Sequence, residues 1–130
     1  MEFPIDIAVE EVVAAVKGEG VAYDEDDSLP YVSARPVSNA ASAIEFSLDT
    51  NRVEASGILL VSCDSSLGLV EVYVVDFEPS SFRVAAGERV ELTAHTFALD
   101  LADSLVRSPR VARVRAGSEW EETLSFELVF

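Results

Sequence analysis

The sequence predicts a single α+β domain in which two helices pack on antiparallel sheets, and three observations support this prediction. Several apolar or alternating segments, separated by turn residues, are typical of β-strands. Two other segments carry apolar residues at helical spacing. The chain has 130 residues, of which 49% are hydrophobic, and this length suits one hydrophobic core rather than two.

The first helix is predicted over residues 8–17, after a short strand or lead-in over residues 3–7. Its apolar residues follow i, i+3, i+4, i+7 spacing and are Val9, Val12, Val13 and Val16. This spacing places them on one stripe of a helix. Gly18 follows at a position where glycine commonly ends a helix. Because valine is a poor helix former, a strand is the alternative for this segment.

Residues 20–43 are predicted to form a long loop inserted in the domain. Turn-favouring residues interrupt this stretch, including Gly20, Pro30 and Pro36. One edge strand is expected within it, around Tyr31 and Val32. The acidic run over residues 24–27 contains carboxylates that suit hard cations, but it lacks a spaced ligand pattern, and a solvated loop is the preferred interpretation.

The segments after this loop are predicted to be strands joined mainly by hairpin turns. The strands are residues 43–48, 53–61, 68–77, 82–85 and 89–97. Expected turns lie at residues 49–52 and 86–88, and at the tight turn Asp64-Ser65-Ser66. Alternation of apolar residues in these strands predicts that one sheet face is buried.

A second helix is predicted to begin at Asp100, whose carboxylate can accept the free N–H groups of a first turn. Leu101 and Leu105 form its apolar stripe, and Pro109 ends it. A final hairpin is expected from residues 111–115 and 123–130. The order of elements therefore suggests a unit of strand, helix and strands that occurs twice, with each helix burying its stripe against a sheet.

The composition is strongly acidic, with 24 acidic residues, nine basic residues and a net charge of −15. Such a charge discourages non-specific contact with nucleic acid, because phosphate binding needs cationic groups. The single cysteine, Cys63, excludes an intramolecular disulfide and fits a reducing compartment. No apolar run approaches the roughly 20 residues of a membrane span, and no signal-peptide pattern is present. A cytoplasmic location is expected.

Motifs that would indicate catalysis or cofactor binding are missing from the sequence. It contains no phosphate-binding glycine loop, no zinc-spaced group of cysteine and histidine, and no Gly-x-Ser-x-Gly turn. The only histidine, His95, has no nucleophile and acid arranged around it by the predicted elements. We therefore expect no enzyme activity, no metal and no cofactor.

A series of short motifs resembles one domain of a DNA sliding clamp of the proliferating-cell-nuclear-antigen (PCNA) type. Val12-Val13-Ala14-Ala15-Val16-Lys17 resembles the first helix of that family. Ser56-Gly57-Ile58, Cys63-Asp64-Ser65-Ser66 and Leu69-Val70-Glu71-Val72 are similar to a strand, a turn and the next strand. Residues 99–107, 115–116 and 123–130 occupy the places of the second helix and the last strands. The resemblance covers residues 1–19 and 44–130, which is half of a usual two-domain subunit.

The resemblance implies a processivity or tethering factor for DNA replication or repair proteins. Copies of the chain would pair through edge strands into a ring that encircles double-stranded DNA without sequence specificity. Lys17, Arg107 and Arg110 would face the DNA. However, Glu10 and Glu11 stand where the family carries a lysine pair, so the two helices would present a net negative surface.

The same resemblance implies a pocket for short apolar-aromatic peptides of partner proteins. Cys63, Leu67 and Leu69 would line this pocket. Cys63 and Leu67 replace the methionine and histidine that the family carries at these positions.

An Ig-like β-sandwich is the alternative fold, and it implies an interaction or assembly module that does not bind DNA. The stretch over residues 77–90 also resembles such domains, through its Pro-Ser step and its later Gly-Glu step. The two folds differ at residues 8–17 and 99–107. Two long helices on one face favour the clamp, whereas one helix or none favours the sandwich.

Overall fold

The structure, a computed structural model, describes residues 5–22, 31–37, 40–49, 54–64, 68–79, 81–83, 89–91, 93–116 and 123–129. Its elements are α1 (Ile5–Ala22), β1 (Tyr31–Val37), β2 (Ala40–Asp49), β3 (Glu54–Asp64), β4 (Leu69–Pro79), β5 (Ser81–Arg83), β6 (Arg89–Glu91), α2 (Ala94–Leu105), β7 (Val111–Ala116) and β8 (Thr123–Leu128). Six strands form one antiparallel sheet in the order β1-β2-β3-β4-β8-β7, and β5 pairs with β6. The predicted α+β class is confirmed.

One face of the six-stranded sheet is buried under both helices. Residues that lie opposite each other on adjacent antiparallel strands share a face. Ile44 lies opposite Leu59, and Leu59 lies opposite Val74. All three are buried in one core cluster with the apolar residues of α1 and α2. Because side chains alternate along a strand, the residues between them point to the other face, which no described helix covers.

Helix α1 is longer than predicted at both ends. It begins at Ile5 and continues to Ala22, so the predicted strand is wrong at residues 5–7 and Gly18 does not end the helix. A Cβ atom at Gly18 would lie 3.2 Å from Ser104 Oγ on α2. The glycine therefore allows close approach of the two helices, and contacts of this kind can outweigh the weak helix propensity of glycine.

Helix α2 begins six residues earlier than the predicted Asp100 cap. Thr93 is the N-cap: its Oγ1 accepts a hydrogen bond from the Thr96 N–H at 3.1 Å, and Thr96 Oγ1 accepts one from the Thr93 N–H at 2.9 Å. This reciprocal pair satisfies free N–H groups of the first turn. The cap at Asp100 and the strand at residues 94–97 were therefore wrong predictions. Phe97 instead extends the buried stripe formed by Leu101 and Leu105.

The loop predicted over residues 20–43 is largely regular structure where it is described. Residues 20–22 belong to α1, residues 31–37 form β1, and residues 40–43 begin β2. The edge strand expected at Tyr31 and Val32 is confirmed, because β1 occupies an edge of the sheet. Its pairing with β2 satisfies backbone groups that a loop would leave to water. The acidic run over residues 24–27 lies outside the described residues.

Three phenylalanine rings join α2 to the sheet. Phe97 of α2 stacks on Phe46 of β2 with ring centroids 4.7 Å apart and planes 13° apart. The ring centroid of Phe77 on β4 lies 5.6 Å from that of Phe97. Gly57 lies opposite both Phe46 and Phe77 in the sheet, and its missing side chain leaves room there, since a Cβ would lie 3.0 Å from Phe46 Cζ.

The Ig-like alternative is wrong for the described part of the chain. The layer that packs on the six-stranded sheet consists of two helices, not of a second sheet. The hairpins predicted between residues 43 and 61 and at the C-terminal end are present as β2–β3 and β7–β8. Their turn residues at 50–53 and 117–122 lie outside the described residues.

Candidate interaction surfaces

A shallow cavity of about 450 Å³ lies at the end of the β3–β4 hairpin. Its described lining consists of Ser62, Cys63, Asp64, Leu69 and Glu71. Asp64 and Leu69 lie opposite each other at the last pair of this hairpin. Two of the three residues predicted to line a peptide pocket, Cys63 and Leu69, are thus brought together, whereas the third, Leu67, lies outside the described residues.

Gly68, directly before β4, fixes the backbone beside this cavity. Gly68 has a φ of 66°, which lies in the left-handed region that glycine adopts without steric cost. Its N–H donates to the Asp64 carbonyl at 2.9 Å, and its own carbonyl accepts from the Leu128 N–H at 3.0 Å. Gly68 therefore links β3, β4 and β8 at this end of the sheet.

The cavity is more polar and acidic than a pocket for an apolar side chain. Asp64 and Glu71 contribute carboxylates, and Leu69 contributes apolar surface. Burial and, to a smaller extent, the Asp64 charge raise the pKa of the Cys63 thiol above 9.0. The thiol is therefore protonated at neutral pH and is a weak nucleophile. This lining is chemically suited to a cationic group.

The helix side of the domain carries the three residues predicted to face DNA. Lys17 and Arg107 are exposed. Arg110 pairs with α1: its Nη1 lies 3.6 Å from Glu10 Oε2, and its Nε lies 3.9 Å from Glu11 Oε1. Its charge is thus directed toward carboxylates of the same domain.

The described helix side is negative overall. Among residues 5–18 and 94–110, whose side chains are described, five carboxylates accompany three lysine or arginine side chains. The acidic residues are Asp6, Glu10, Glu11, Asp100 and Asp103. Arg107 lines a smaller cavity of about 230 Å³ between the helices, together with Glu11 and Ser104. Lys17 does not line this cavity.

The sheet face that neither described helix covers carries an apolar row at its centre. Ala43, Leu60, Tyr73 and Thr123 lie opposite one another on β2, β3, β4 and β8. Leu60 is 40% exposed and Tyr73 is 36% exposed, whereas Ala43 is buried. Val75 is 62% exposed beside them, at the point where the β3–β4 register shifts. We call this face, which lies opposite α1 and α2, the open face, and Ala43, Leu60 and Tyr73 the apolar row.

Charged side chains surround the apolar row. Arg35 and Glu45 form an ion pair at 3.2 Å, and Arg113 and Glu127 approach to 4.0 Å. Glu71 accepts a hydrogen bond from the Tyr73 hydroxyl. This hydrogen bond is the largest cause that raises the pKa of Tyr73 above 10.0.

Sequence reasoning did not identify the open face as a site. Side chains alternate along β3 and β4, so Leu60 points to the opposite face from Leu59, and Tyr73 to the opposite face from Val72. This alternation can be read from the sequence. The side-by-side placement of Leu60 and Tyr73 depends on strand register, which alternation does not specify. The surface could therefore be recognised only after the strands were paired.

No protein-family model, curated protein or solved structure matches this chain. Within the described residues, no group of three or more histidine, cysteine, aspartate and glutamate side chains could hold a metal ion. Neither α1 nor α2 is long and apolar enough to cross a membrane. The surfaces of the domain itself therefore provide the evidence for its function.

Proposed function

We propose that this protein is a non-catalytic interaction module that binds another protein through the open face of its sheet. The observation that carries this proposal is the apolar row, in which Leu60 and Tyr73 stand exposed at the centre of a face that no described helix covers. An antiparallel sheet commonly leaves one face to water, and that face is then polar. Large apolar side chains within a charged surround are instead typical of protein-binding surfaces.

The strands also hold the apolar row in a fixed arrangement. Leu60 and Tyr73 lie opposite each other on two central strands, each of which is paired on both sides. The Tyr73 hydroxyl is further held by its hydrogen bond to Glu71. A surface that is already ordered loses little conformational entropy when a partner binds, and tyrosine is enriched among the residues that dominate binding energy.

The proposal is tested by site-specific photo-crosslinking in the native host. A photoreactive residue at position 60 should capture a partner protein that one at position 106 does not, since Val106 is an exposed apolar residue outside the sheet. The purified partner is then titrated by calorimetry. Leu60→Ser should weaken binding about tenfold or more, which corresponds to about 1.4 kcal/mol, whereas Val106→Ser should leave it unchanged. Equal effects of the two substitutions would contradict the proposal.

A second candidate function is the clamp-like tethering of replication or repair proteins on DNA. The observation that favours it is the packing of two helices on one side of an antiparallel sheet whose edge strands are β1 and β7. In such a ring, edge strands of neighbouring copies would pair, and the helices would line the hole. Two features oppose this arrangement. The helix side is negative, and β1 contains Pro36, which lacks the N–H that strand pairing requires.

Light scattering over a range of salt concentrations separates the two candidates. A hexamer or another discrete even oligomer would favour a ring, whereas a monomer at every concentration would leave only the interaction module. Retention on circular DNA provides a second test. If α1 lines a hole, Glu10→Lys should increase retention and Glu78→Lys, the same change on the open face, should not. The same retention for both variants would exclude that geometry.

A further inference from the structure

We infer that the open face binds a cationic amphipathic helix of a partner protein, one of whose lysine or arginine side chains enters the cavity beside Glu71. This inference rests on the proposed interaction function and adds the chemistry of the partner. It follows from the charge of the open face, from the spacing of the apolar row and from the position of the cavity.

The charge of the open face favours a cationic partner. Among the described side chains on this face, seven carboxylates accompany three arginines; the carboxylates are Glu45, Asp49, Asp64, Glu71, Asp76, Glu78 and Glu127, and the arginines are Arg35, Arg113 and Arg115. Arg35 and Arg113 are each already paired with a glutamate of the same face. Complementary charge across an interface accelerates association and selects partners.

The same charge argues against three other occupants. Nucleic acid and acidic proteins would meet charge of their own sign. A second copy of this chain would bring a further net charge of −15 and an identical acidic surface to the interface. Like charges placed opposite each other across an interface disfavour association.

The spacing of the apolar row matches a helix better than an extended segment. Its two exposed members, Leu60 and Tyr73, lie opposite each other on adjacent strands, and adjacent strands are about 4.8 Å apart. Successive turns of a helix place side chains on one stripe about 5.4 Å apart. An extended segment places side chains of one face about 6.8 Å apart. A helix that crosses the strands can therefore contact Leu60 and Tyr73 with consecutive turns.

The cavity is continuous with the apolar row. Ser62 and Glu71 lie opposite each other, two residues from Leu60 and Tyr73 along the same strands. Both line the cavity of about 450 Å³, together with Asp64. A long cationic side chain can place its stem along apolar surface and its charge among carboxylates. The end of the helix that covers the row therefore has an acidic cavity within reach.

The inference is tested with a synthetic helical peptide that carries leucine on one stripe and lysine on the other faces. Two comparison peptides are used, one with glutamate in place of lysine and one with the same composition shuffled so that no stripe remains. Binding is measured by fluorescence anisotropy at low and high salt. The lysine peptide should bind the protein most tightly, and its affinity should fall as salt is added.

Matched variants locate the binding site. The double substitution Glu71→Gln with Asp76→Asn removes two charges from the open face, and Asp6→Asn with Asp103→Asn removes two exposed charges from the helix side. Both variants have the same net charge. The first should weaken binding of the lysine peptide about tenfold, whereas the second should change it less than about twofold.

The possible outcomes separate this inference from the proposed function. If the glutamate or the shuffled peptide binds as tightly as the lysine peptide, or if the lysine peptide does not bind, the inference is overturned. It is also overturned if both charge variants weaken binding equally, because attraction then depends on net charge alone. The proposed function is judged separately by the crosslink at position 60, and it stands if that crosslink and the effect of Leu60→Ser are observed.

Discussion

The Arg110 guanidinium lies 3.9 Å from the Glu11 carboxylate, and this contact joins the turn after α2 to the middle of α1. The Glu11 side chain is only 12% exposed, and its Oε2 also accepts a hydrogen bond from Ser108 Oγ at 2.7 Å. The pair between Arg110 and Glu10 contributes little to stability, because both side chains are more than half exposed to solvent. A cation predicted to face DNA thus has a structural role in helix packing.

These contacts predict different stabilities for two adjacent glutamate variants. Glu11→Ala should lower the free energy of unfolding by about 1.5–3 kcal/mol, because a partly buried charged hydrogen bond is lost. Glu10→Ala should lower it by less than about 1 kcal/mol, because its ion pair is exposed to solvent. Urea denaturation of the two variants measures the difference. Equal losses would show that the contact between Glu11 and Ser108 contributes nothing.

Gly57 is predicted to tolerate no side chain. A Cβ at this position would lie 2.0 Å from the Asp76 backbone oxygen, so β3 and β4 would have to separate. We expect Gly57→Ala to lower the free energy of unfolding by an amount at or above the upper end of the ~1–3 kcal/mol range that is typical of overpacked cores. Ser56→Ala, an exposed neighbour on the same strand, should change stability by less than about 0.5 kcal/mol. Denaturation midpoints of the two proteins provide the comparison, and similar midpoints would refute the close approach.

The stacking of Phe97 on Phe46 is predicted to hold α2 on the sheet. Phe97 is fully buried, whereas Leu99 on the same helix is 37% exposed. Phe97→Ala should therefore cost about 3–5 kcal/mol through lost burial and the cavity left behind. Leu99→Ala, the control, should cost clearly less. Thermal and urea unfolding followed by circular dichroism would measure both, and a small effect of Phe97→Ala would contradict the packing described for α2.

The hydrogen bond from Tyr73 to Glu71 on the open face is predicted to make a pH-dependent contribution to folding stability. Because the bond needs the phenol proton, it raises the pKa of Tyr73 above 10.0. Because the pKa is higher in the folded state, the bond's contribution to folding stability is complete at pH values below the pKa of the unfolded state. It is lost as the pH rises through the pKa of the folded state. Tyrosinate absorbance of the protein minus that of Tyr73→Phe isolates this ionisation. Glu71→Gln should lower the measured pKa toward 10.0, and an unchanged value would rule out the bond.

Local patterns predicted the kinds of elements better than their limits. Val9, Val12 and Val16 correctly indicated a helix, because the i, i+3, i+7 spacing reflects burial of one stripe. The start of α2 was missed because residues 89–97 also alternate as a strand would. The capping contacts of Thr93 with Thr96 and the burial of Phe97 favour the helix instead. Of the predicted peptide pocket, the structure brings Cys63 and Leu69 together, which a tight turn between two strands already implied.

The sequence by itself determined the acidic charge, the α+β class, the two amphipathic helices and the hairpins, because each depends on composition or on residues close together in the chain. Only the tertiary structure decided that β8 lies between β4 and β7, that Leu60 and Tyr73 share the open face, and that Arg110 lies against α1. These relationships join residues far apart in the chain. They are set by strand register and by the burial of one common core, which no local pattern encodes.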